Sequence, residues 1–209
     1  NPLTSEGVFV FTSAAPSADV VVGHRVQVRG EVQEYVPSQD PTQPPLTELG
    51  GPVVVTLVST GNPLPAPIEL TTTFPDPAGD FDQLERLEGM RVTAASLTVN
   101  TPTLGNVSET NATATSNGVF HAVVTGVARA YREPGVQQPD PLPSGSPANV
   151  PRWNTNPEVI AVSSRALGGD TADVMSGCLV TGATGPLDYT FRRYTVYPET
   201  SVQVDCSGV

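Results

Sequence analysis

Aromatic and cationic side chains that could contact a nucleic acid are concentrated near the carboxyl end of the chain, in GPLDYTFRRYTVYP, residues 185–198. Proteins that bind single strands stack bases on aromatic rings and follow the phosphates with cationic side chains. The candidates for such contacts, here and elsewhere, are Arg25, Arg29, Tyr131, Arg132, Phe191, Arg192, Arg193 and Tyr194.

A second interpretation places the same aromatic rings in the core and pairs the arginines with nearby acids such as Asp188 and Glu199. The charge balance favours it. The net charge is −11, and the ten basic residues are all arginines. Since phosphate contacts supply most of the affinity for nucleic acids, a chain of this charge does not bind them tightly over its whole surface.

The residues that could support catalysis or bind a metal are few. His24 precedes a predicted strand at a turn, and His121 lies within VFHAVVTG, where a half-buried structural histidine is expected. Asp76, Asp80 and Asp82 form a weak candidate for calcium, because acidic loops bind that ion. No complete ligand pattern or catalytic motif surrounds these residues. We therefore expect no catalytic site, no metal site and no cofactor in this chain.

Cys178 and Cys206 are the only two cysteines. Their spacing fits no zinc motif, so they are either two buried thiols or one disulfide of an exported protein. A bridge between them would join the last predicted strand to an earlier one. No apolar run is long enough to span a membrane.

The elements that carry these residues are predicted to be strands. The 209 residues include 19 glycines and 22 prolines, and valine and threonine are abundant. Glycine and proline interrupt helices, whereas valine and threonine fit a pleated sheet. The one helix candidate is residues 81–87, with Phe81, Leu84 and Leu87 on one face. Residues 133–156 form a Pro-rich connector.

An internal repeat organises the strands. ADVVVGHRVQVRGEVQEY, residues 18–35, aligns without a gap to ADVMSGCLVTGATGPLDY, residues 172–189, and a similar strand precedes each copy (VFVFTS and VIAVSS). A turn feeds a long strand with a glycine partway along, where small barrels bend. We predict an all-β fold of two tandem OB-like barrels with one short helix, over residues 1–115 and 116–209. A β-sandwich is the alternative.

The ordered set of segments also resembles a known group of proteins. SEGVFVFTS, VVVGHRVQVRGEVQEY, ERLEGMRVTAASLTV, NGVFHAVVTGVARAYREPG and GPLDYTFRRYTVYP resemble the OB-like region ahead of the catalytic domain in secreted bacterial nucleases of the endonuclease/exonuclease/phosphatase superfamily. In that family one or two strands precede the segment at which this chain starts. The resemblance therefore implies a first barrel that either lacks its first strands or is closed by a strand from elsewhere.

The resemblance implies a non-catalytic accessory module, secreted or at the bacterial cell surface. Its expected partners are the catalytic domain of the same polypeptide, which it would position, and single-stranded nucleic acid, whose binding it would assist. Catalysis itself is left to the parent hydrolase. The alternative is an extracellular β module that binds carbohydrate or protein. These two functions predict different ligands for the same exposed aromatic and arginine residues.

Overall fold

Strands joined by turns make up residues 4–209, the part of the chain that the computed structural model describes, and the fold is all-β as predicted. No α-helix occurs among these residues. The strands are β1 (Phe9–Val10), β2 (Arg25–Tyr35), β3 (Leu46–Ser59), β4 (Ile68–Leu70), β5 (Arg91–Ala94), β6 (Leu97–Thr101), β7 (Gly105–Ser108), β8 (Thr113–Ser116), β9 (Val119–Val124), β10 (Val136–Gln137), β11 (Arg152–Trp153), β12 (Ile160–Ser163), β13 (Leu179–Thr181), β14 (Thr184–Thr190), β15 (Arg193–Val196) and β16 (Gln203–Asp205).

Nine strands form one large curled sheet, shaped like half a barrel, in the order β16-β13-β6-β9-β12-β15-β14-β5-β4. Its concave face carries the core. Strand β14 shows why: alternate residues, among them Leu187 and Tyr189, are buried, and the residues between them are half-buried. This two-residue period is that of a strand with one face against a core. Leu97, Phe120 and Ile160 add fully buried side chains from the central strands.

Strands β1 to β3 form a separate three-stranded sheet in the order β1-β3-β2, here called the ribbon. Strand β2 runs antiparallel to β3 along its whole length, and β1 runs parallel to β3 on the other side. The large sheet contains strands from both sides of residue 115, and two small sheets, β7-β8 and β10-β11, complete the fold. Strands β10 and β11 lie in the predicted Pro-rich connector.

The predicted helix at residues 81–87 is a single turn of 3-10 helix, Glu85–Leu87, preceded by turns. Its apolar face is as expected, since Leu84 and Leu87 are buried. The side chain of Gln83 explains the shortening. Its Oε1 accepts a hydrogen bond from Asp76 N (2.6 Å) and its Nε2 donates to Asp76 O (2.8 Å), which fixes this segment as a folded loop.

The two copies of the sequence repeat have the same local structure. Gly23 and Gly177 both have positive φ (85° and 94°), in turns closed by equivalent hydrogen bonds from His24 N to Val21 O and from Cys178 N to Met175 O. Positive φ is what favours glycine at this position. A strand begins two residues after each glycine.

The similarity between the two copies of the repeat extends to the way their strands pair. In the first copy β1 lies parallel to β3, which lies antiparallel to β2. In the second copy β12 lies parallel to β15, which lies antiparallel to β14. The two copies differ in their surroundings, because β12 and β14 have further neighbours in the large sheet whereas the ribbon stands alone.

Among residues 4–209, no helix has the length and apolar character needed to cross a membrane.

Candidate functional site

An open cavity of about 470 Å³ lies where the ends of central strands meet three loops, and it is here called the arginine pocket. Its lining combines cationic, aromatic and amide side chains. The lining residues are Asn100, Thr101, His121, Arg129, Ala130, Tyr131, Arg132, Trp153, Asn156, Val159, Ser176 and Arg193. Three of the ten arginines line this one cavity, and no carboxylate is among its described lining residues. An acidic protein thus carries a local cationic site.

Aromatic rings form one side of the arginine pocket. Trp153, from β11, is buried, and its Nε1 donates a 2.8 Å hydrogen bond to Asn156 Oδ1, which fixes the indole. The Arg132 guanidinium lies over that indole, 4.8 Å from the ring centroid. Tyr131 is 79% exposed at the rim. The pocket therefore offers a fixed ring, a stacked cation and a free ring within one short stretch of surface.

His121 reaches the arginine pocket from β9. Its Nδ1 lies 2.9 Å from Thr101 Oγ1 on the neighbouring strand β6. Burial, and then the positive charge of Arg193, lower the pKa of His121, so the imidazole is neutral at pH 7. His121 is half-buried, as expected from the sequence, and its ring forms part of the cavity wall.

Arg193, the first residue of β15, is held by backbone carbonyls. Its Nη1 donates to Thr155 O (2.9 Å) and to Asn156 O (3.2 Å). Burial lowers the pKa of Arg193, and the nearby Glu158 opposes that effect. Glu158 is buried and accepts a hydrogen bond from Asn156 Nδ2 (3.3 Å). Arg193 is thus a fixed, partly balanced charge at the base of the pocket.

Arg129 and Arg132 supply the more exposed charges of the arginine pocket. The Arg132 guanidinium donates to the Glu133 and Gly135 carbonyls. Arg129 is exposed and forms no ion pair with any residue from 4 to 209. Its charge is therefore available to a ligand, whereas that of Arg132 is oriented in advance.

The two adjacent arginines, Arg192 and Arg193, have different roles. Phe191 and Arg192 form the two-residue turn between β14 and β15, whereas Arg193 is the first residue of β15. Both turn residues have positive φ (51° and 58°), as the tight hairpin turn requires. Arg192 donates to both carboxylate oxygens of Asp40 (2.5 and 2.6 Å), to Asp140 (2.8 Å) and to Gln137 (3.0 Å). These bonds raise the pKa of Arg192 and lower that of Asp40. Arg192 thus joins three distant segments.

Arginine pairing with acids, expected from the sequence, involves other partners than those predicted. Arg192 pairs with Asp40 and Asp140, while Glu199 pairs with Arg91 at 2.7 Å. Asp188 accepts a hydrogen bond from Tyr197 Oη (3.2 Å).

A second cavity, of about 730 Å³, lies between the ribbon and the β14–β15 turn and is here called the aromatic groove. Four exposed rings line it: Phe9, Phe11, Tyr35 and Phe191, the last of them 93% exposed. Arg192 and Tyr189 line it as well. This groove is the more apolar of the two cavities.

The residues that the sequence predicted to contact a nucleic acid divide into four groups, the last of which is Tyr194 alone. Tyr131, Arg132 and Arg193 meet in the arginine pocket. Phe191 and Arg192 line the aromatic groove. Arg25 and Arg29 are exposed on β2 and line neither cavity.

Tyr194 is buried in the core, 4.8 Å from the Tyr189 ring centroid, and its hydroxyl donates to Glu85 (3.1 Å). Burial raises the pKa of Tyr194. It therefore has no free surface to offer a ligand.

The weak calcium candidate has no converging ligands. Asp76 uses Oδ1 to accept a hydrogen bond from Ala78 N (2.9 Å). Within residues 4–209, no three histidine, cysteine or acidic side chains lie close enough together to hold a metal ion. The other histidine, His24, is half-buried and bonds the backbone oxygen of Asp19 through Nδ1 (2.9 Å).

Cys178 and Cys206 form a disulfide, the second of the two arrangements considered from the sequence. The bridge supports the edge pair β13–β16 of the large sheet.

Sequence reasoning missed Arg129, Trp153 and Asn156 as pocket residues. One local signal was present, because Arg129, Tyr131 and Arg132 lie within four consecutive residues of the loop that follows β9. The approach of Trp153 and Asn156 from another segment has no local signal, since it depends on the path of the connector.

Comparison with known proteins gives one family match. No curated protein and no solved structure matches the chain. The match covers residues 65–206, which contain all nine strands of the large sheet and the whole arginine pocket but exclude the ribbon. Since it spans more than half of the sequence, the chain belongs to the family described as a domain of unknown function, DUF8508.

Proposed function

We propose that the protein is a non-catalytic binding module for single-stranded nucleic acid and that it serves as an accessory region of a secreted nuclease-like enzyme. The observation that carries this proposal is the arginine pocket, where three arginines and two aromatic rings meet. The catalytic domain of the same polypeptide is its proposed partner, and the cell exterior or surface its proposed location.

The charges of the pocket suit a phosphate chain. A cleft lined by one sign of charge concentrates its field, so a local cationic site attracts an anion even when the whole protein is acidic. Arg129 and Arg132 lie at the exposed part of the pocket, and Arg193 lies at its base. The negative charge of the rest of the protein weakens binding outside the pocket. We therefore expect the protein to contact a short segment of the nucleic acid and not a long one.

The rings of the pocket suit unpaired bases. Every base has a flat face that stacks on an aromatic ring, and such stacking tolerates different sequences. Tyr131 is free to stack, whereas the buried Trp153 indole, fixed by Asn156, carries the Arg132 guanidinium on its face and so positions that cation beside the free ring. The amides of Asn100 and Asn156 add polar groups beside the rings. Bases in a duplex are already stacked on each other, so the proposed ligand is single-stranded.

Two further observations support the nuclease context. The ordered segments that resemble secreted nucleases include the stretch that carries Arg129, Tyr131 and Arg132. The Cys178–Cys206 disulfide suits an oxidising compartment outside the cytoplasm.

The test is fluorescence anisotropy with a labelled oligothymidine at low salt. We expect micromolar binding that weakens as salt is added, because counterions are released on binding. Tyr131→Ala should lower the affinity by about 1 to 3 kcal/mol per stacked base, and Arg129→Ala should reduce the salt dependence. Arg165→Ala is the matched control, since Arg165 is an exposed arginine outside the pocket. Absence of binding at high micromolar protein would refute the proposal.

The aromatic groove favours a second candidate, an extracellular module that binds carbohydrate or protein through exposed rings. Phe191 and Tyr35 are the residues that such a ligand would contact. Isothermal titration with neutral oligosaccharides tests it, together with Phe191→Ala. Under this candidate Phe191→Ala abolishes the heat of binding and Tyr131→Ala leaves it unchanged, the reverse of the pattern expected for nucleic acid.

A further inference from the structure

Strand β2 has one free edge. Within residues 4–209 it pairs only with β3, and it is the outermost strand of the ribbon. The edge is eleven residues long, and it is flanked by exposed apolar side chains, among them Val32 (73% exposed) and Tyr35 (50% exposed). A long unpaired edge presents backbone donors and acceptors that can pair with another strand.

The register shifts between β2 and β3 do not disrupt the unpaired edge of β2. Pairing with β3 shifts register between Arg25 and Val26 and again between Arg29 and Glu31. At each shift β3 advances by more residues than β2, so the extra residues lie on β3. A bulge on the edge strand itself would protect it from further pairing. Strand β2 lacks that protection.

The second copy of the repeat indicates what belongs beside this edge. By the sequence alignment β13 is the equivalent of residues 25–27 of β2, and β14 is the equivalent of its second half from Gly30 onward. In the large sheet β13 pairs antiparallel with β6, and the corresponding edge of β14 is paired with β5. That pairing is antiparallel. The same architecture therefore accommodates an antiparallel strand at the position that the ribbon leaves open.

The charges of β2 complement each other across a two-fold axis. Its sequence is RVQVRGEVQEY, with two arginines before Gly30 and two glutamates after it. Charged side chains on an edge strand usually oppose pairing with a copy of itself. In an antiparallel pair centred on Gly30, however, Arg29 of each copy lies opposite Glu31 of the other. Opposite charges directly across two strands attract.

The other positions of that register also match, with one exception. Val28 lies opposite Val32, Gln27 opposite Gln33, and Arg25 opposite the Tyr35 ring. Each of these pairs occurs twice by symmetry. Val26 opposite Glu34 is the pair without complementarity.

We infer that two copies of this chain associate through β2, antiparallel and centred on Gly30, and join their ribbons into one six-stranded sheet. This assigns Arg25 and Arg29 to contacts with a second copy. The arginine pocket contains no residue of the ribbon, so self-association leaves it open. The inference is independent of the proposed nucleic-acid binding.

Sedimentation velocity of the full chain tests the charge pairing. We expect a dimer whose dissociation constant rises with salt. Arg29→Glu and Glu31→Arg each replace two attractive pairs by two repulsive ones and should each raise the dissociation constant by about tenfold or more. The combined variant Arg29→Glu/Glu31→Arg restores the attraction and should restore the dimer. Arg165→Glu, an equal charge change on an exposed residue elsewhere, should leave it unchanged.

Cysteine cross-linking tests the register. Gln27→Cys combined with Gln33→Cys should give a covalent dimer on a non-reducing gel, and Gln27→Cys alone should not. Thermal unfolding of each variant establishes that it is folded. A monomer at high micromolar concentration overturns the inference and leaves the edge to a strand of another protein. Failure of the combined charge variant to recover the dimer overturns it as well.

Discussion

Replacing Glu88 with glutamine is expected to stabilise the protein at alkaline pH and to have little effect in acid. Glu88 is buried, only 7% exposed, and its Oε2 lacks a hydrogen-bond partner within residues 4–209. Burial, and then the negative charges of Glu85, Asp188 and Glu34, raise the pKa of Glu88 to about 8. In the folded protein this carboxyl group is therefore protonated at pH 7.

The size of this effect on the free energy of unfolding follows from the pKa of Glu88 in the folded and in the unfolded state. In the unfolded chain the pKa of Glu88 is 4.5, so the folded state binds a proton more tightly by about 3.5 pH units. The stability from this proton is complete below pH 4.5 and is lost as the pH rises through 8. At 1.36 kcal/mol per unit, the loss reaches about 5 kcal/mol above the folded pKa. A glutamine has no such proton to lose, so the Glu88→Gln variant does not undergo this loss of stability.

The assay is urea unfolding of both proteins at a series of pH values. The difference in the free energy of unfolding should be small in acid and should grow in favour of the variant between pH 4.5 and 8. Glu109→Gln is the matched control, because Glu109 is exposed in the turn between β7 and β8. A difference that stays constant across this pH range would refute the reasoning, since it would mean that Glu88 does not change its protonation on unfolding.

Three further predictions concern stability. Arg192→Ala removes the ion pairs to Asp40 and Asp140 and should lower the free energy of unfolding by about 2 to 3 kcal/mol, measured by urea unfolding; an unchanged midpoint would contradict it. Reducing the disulfide opens a loop with a sequence separation of 28 and should cost about 3.5 kcal/mol, read from unfolding with and without reductant. Phe191 is an exposed residue with positive φ, a conformation that asparagine tolerates better. Phe191→Asn should therefore stabilise the protein by about 1 kcal/mol, which would be seen as a higher melting temperature without a change in fold. A lower melting temperature for this variant would show that the Phe191 ring contributes to packing.

Local features of the sequence were sufficient to predict the strands, the repeated turn and one face of the short helix. The all-β fold follows from valine, threonine, glycine and proline content, which acts on each segment separately. The glycines at 23 and 177 mark the same turn because positive φ there favours glycine. The buried positions of Leu84 and Leu87 follow from their spacing.

Pairing between distant segments could not be predicted in the same way. The order of the nine strands depends on backbone hydrogen bonds, which are alike for every residue type and so leave no mark on the sequence. Arg192 meets Asp40, 152 residues away, although nearer acids were available. The arginine pocket likewise combines residues from β6, β9, β11, β15 and the loops between them, so its members were recognisable only in part.

The strand order of the large sheet sets the time course of folding. Strand β9 lies between β6 and β12, and the other neighbour of β12, β15, begins 30 residues after β12 ends. Sheets built from such distant pairs fold in about milliseconds to seconds, whereas a hairpin forms in microseconds. We therefore expect the hairpin β14–β15 to form before it joins the large sheet. Arg192, in the turn of this hairpin, can then bind Asp40 and Asp140. Before the hairpin joins the sheet, one edge of β12 is unpaired, and an unpaired edge can pair with a strand of another chain.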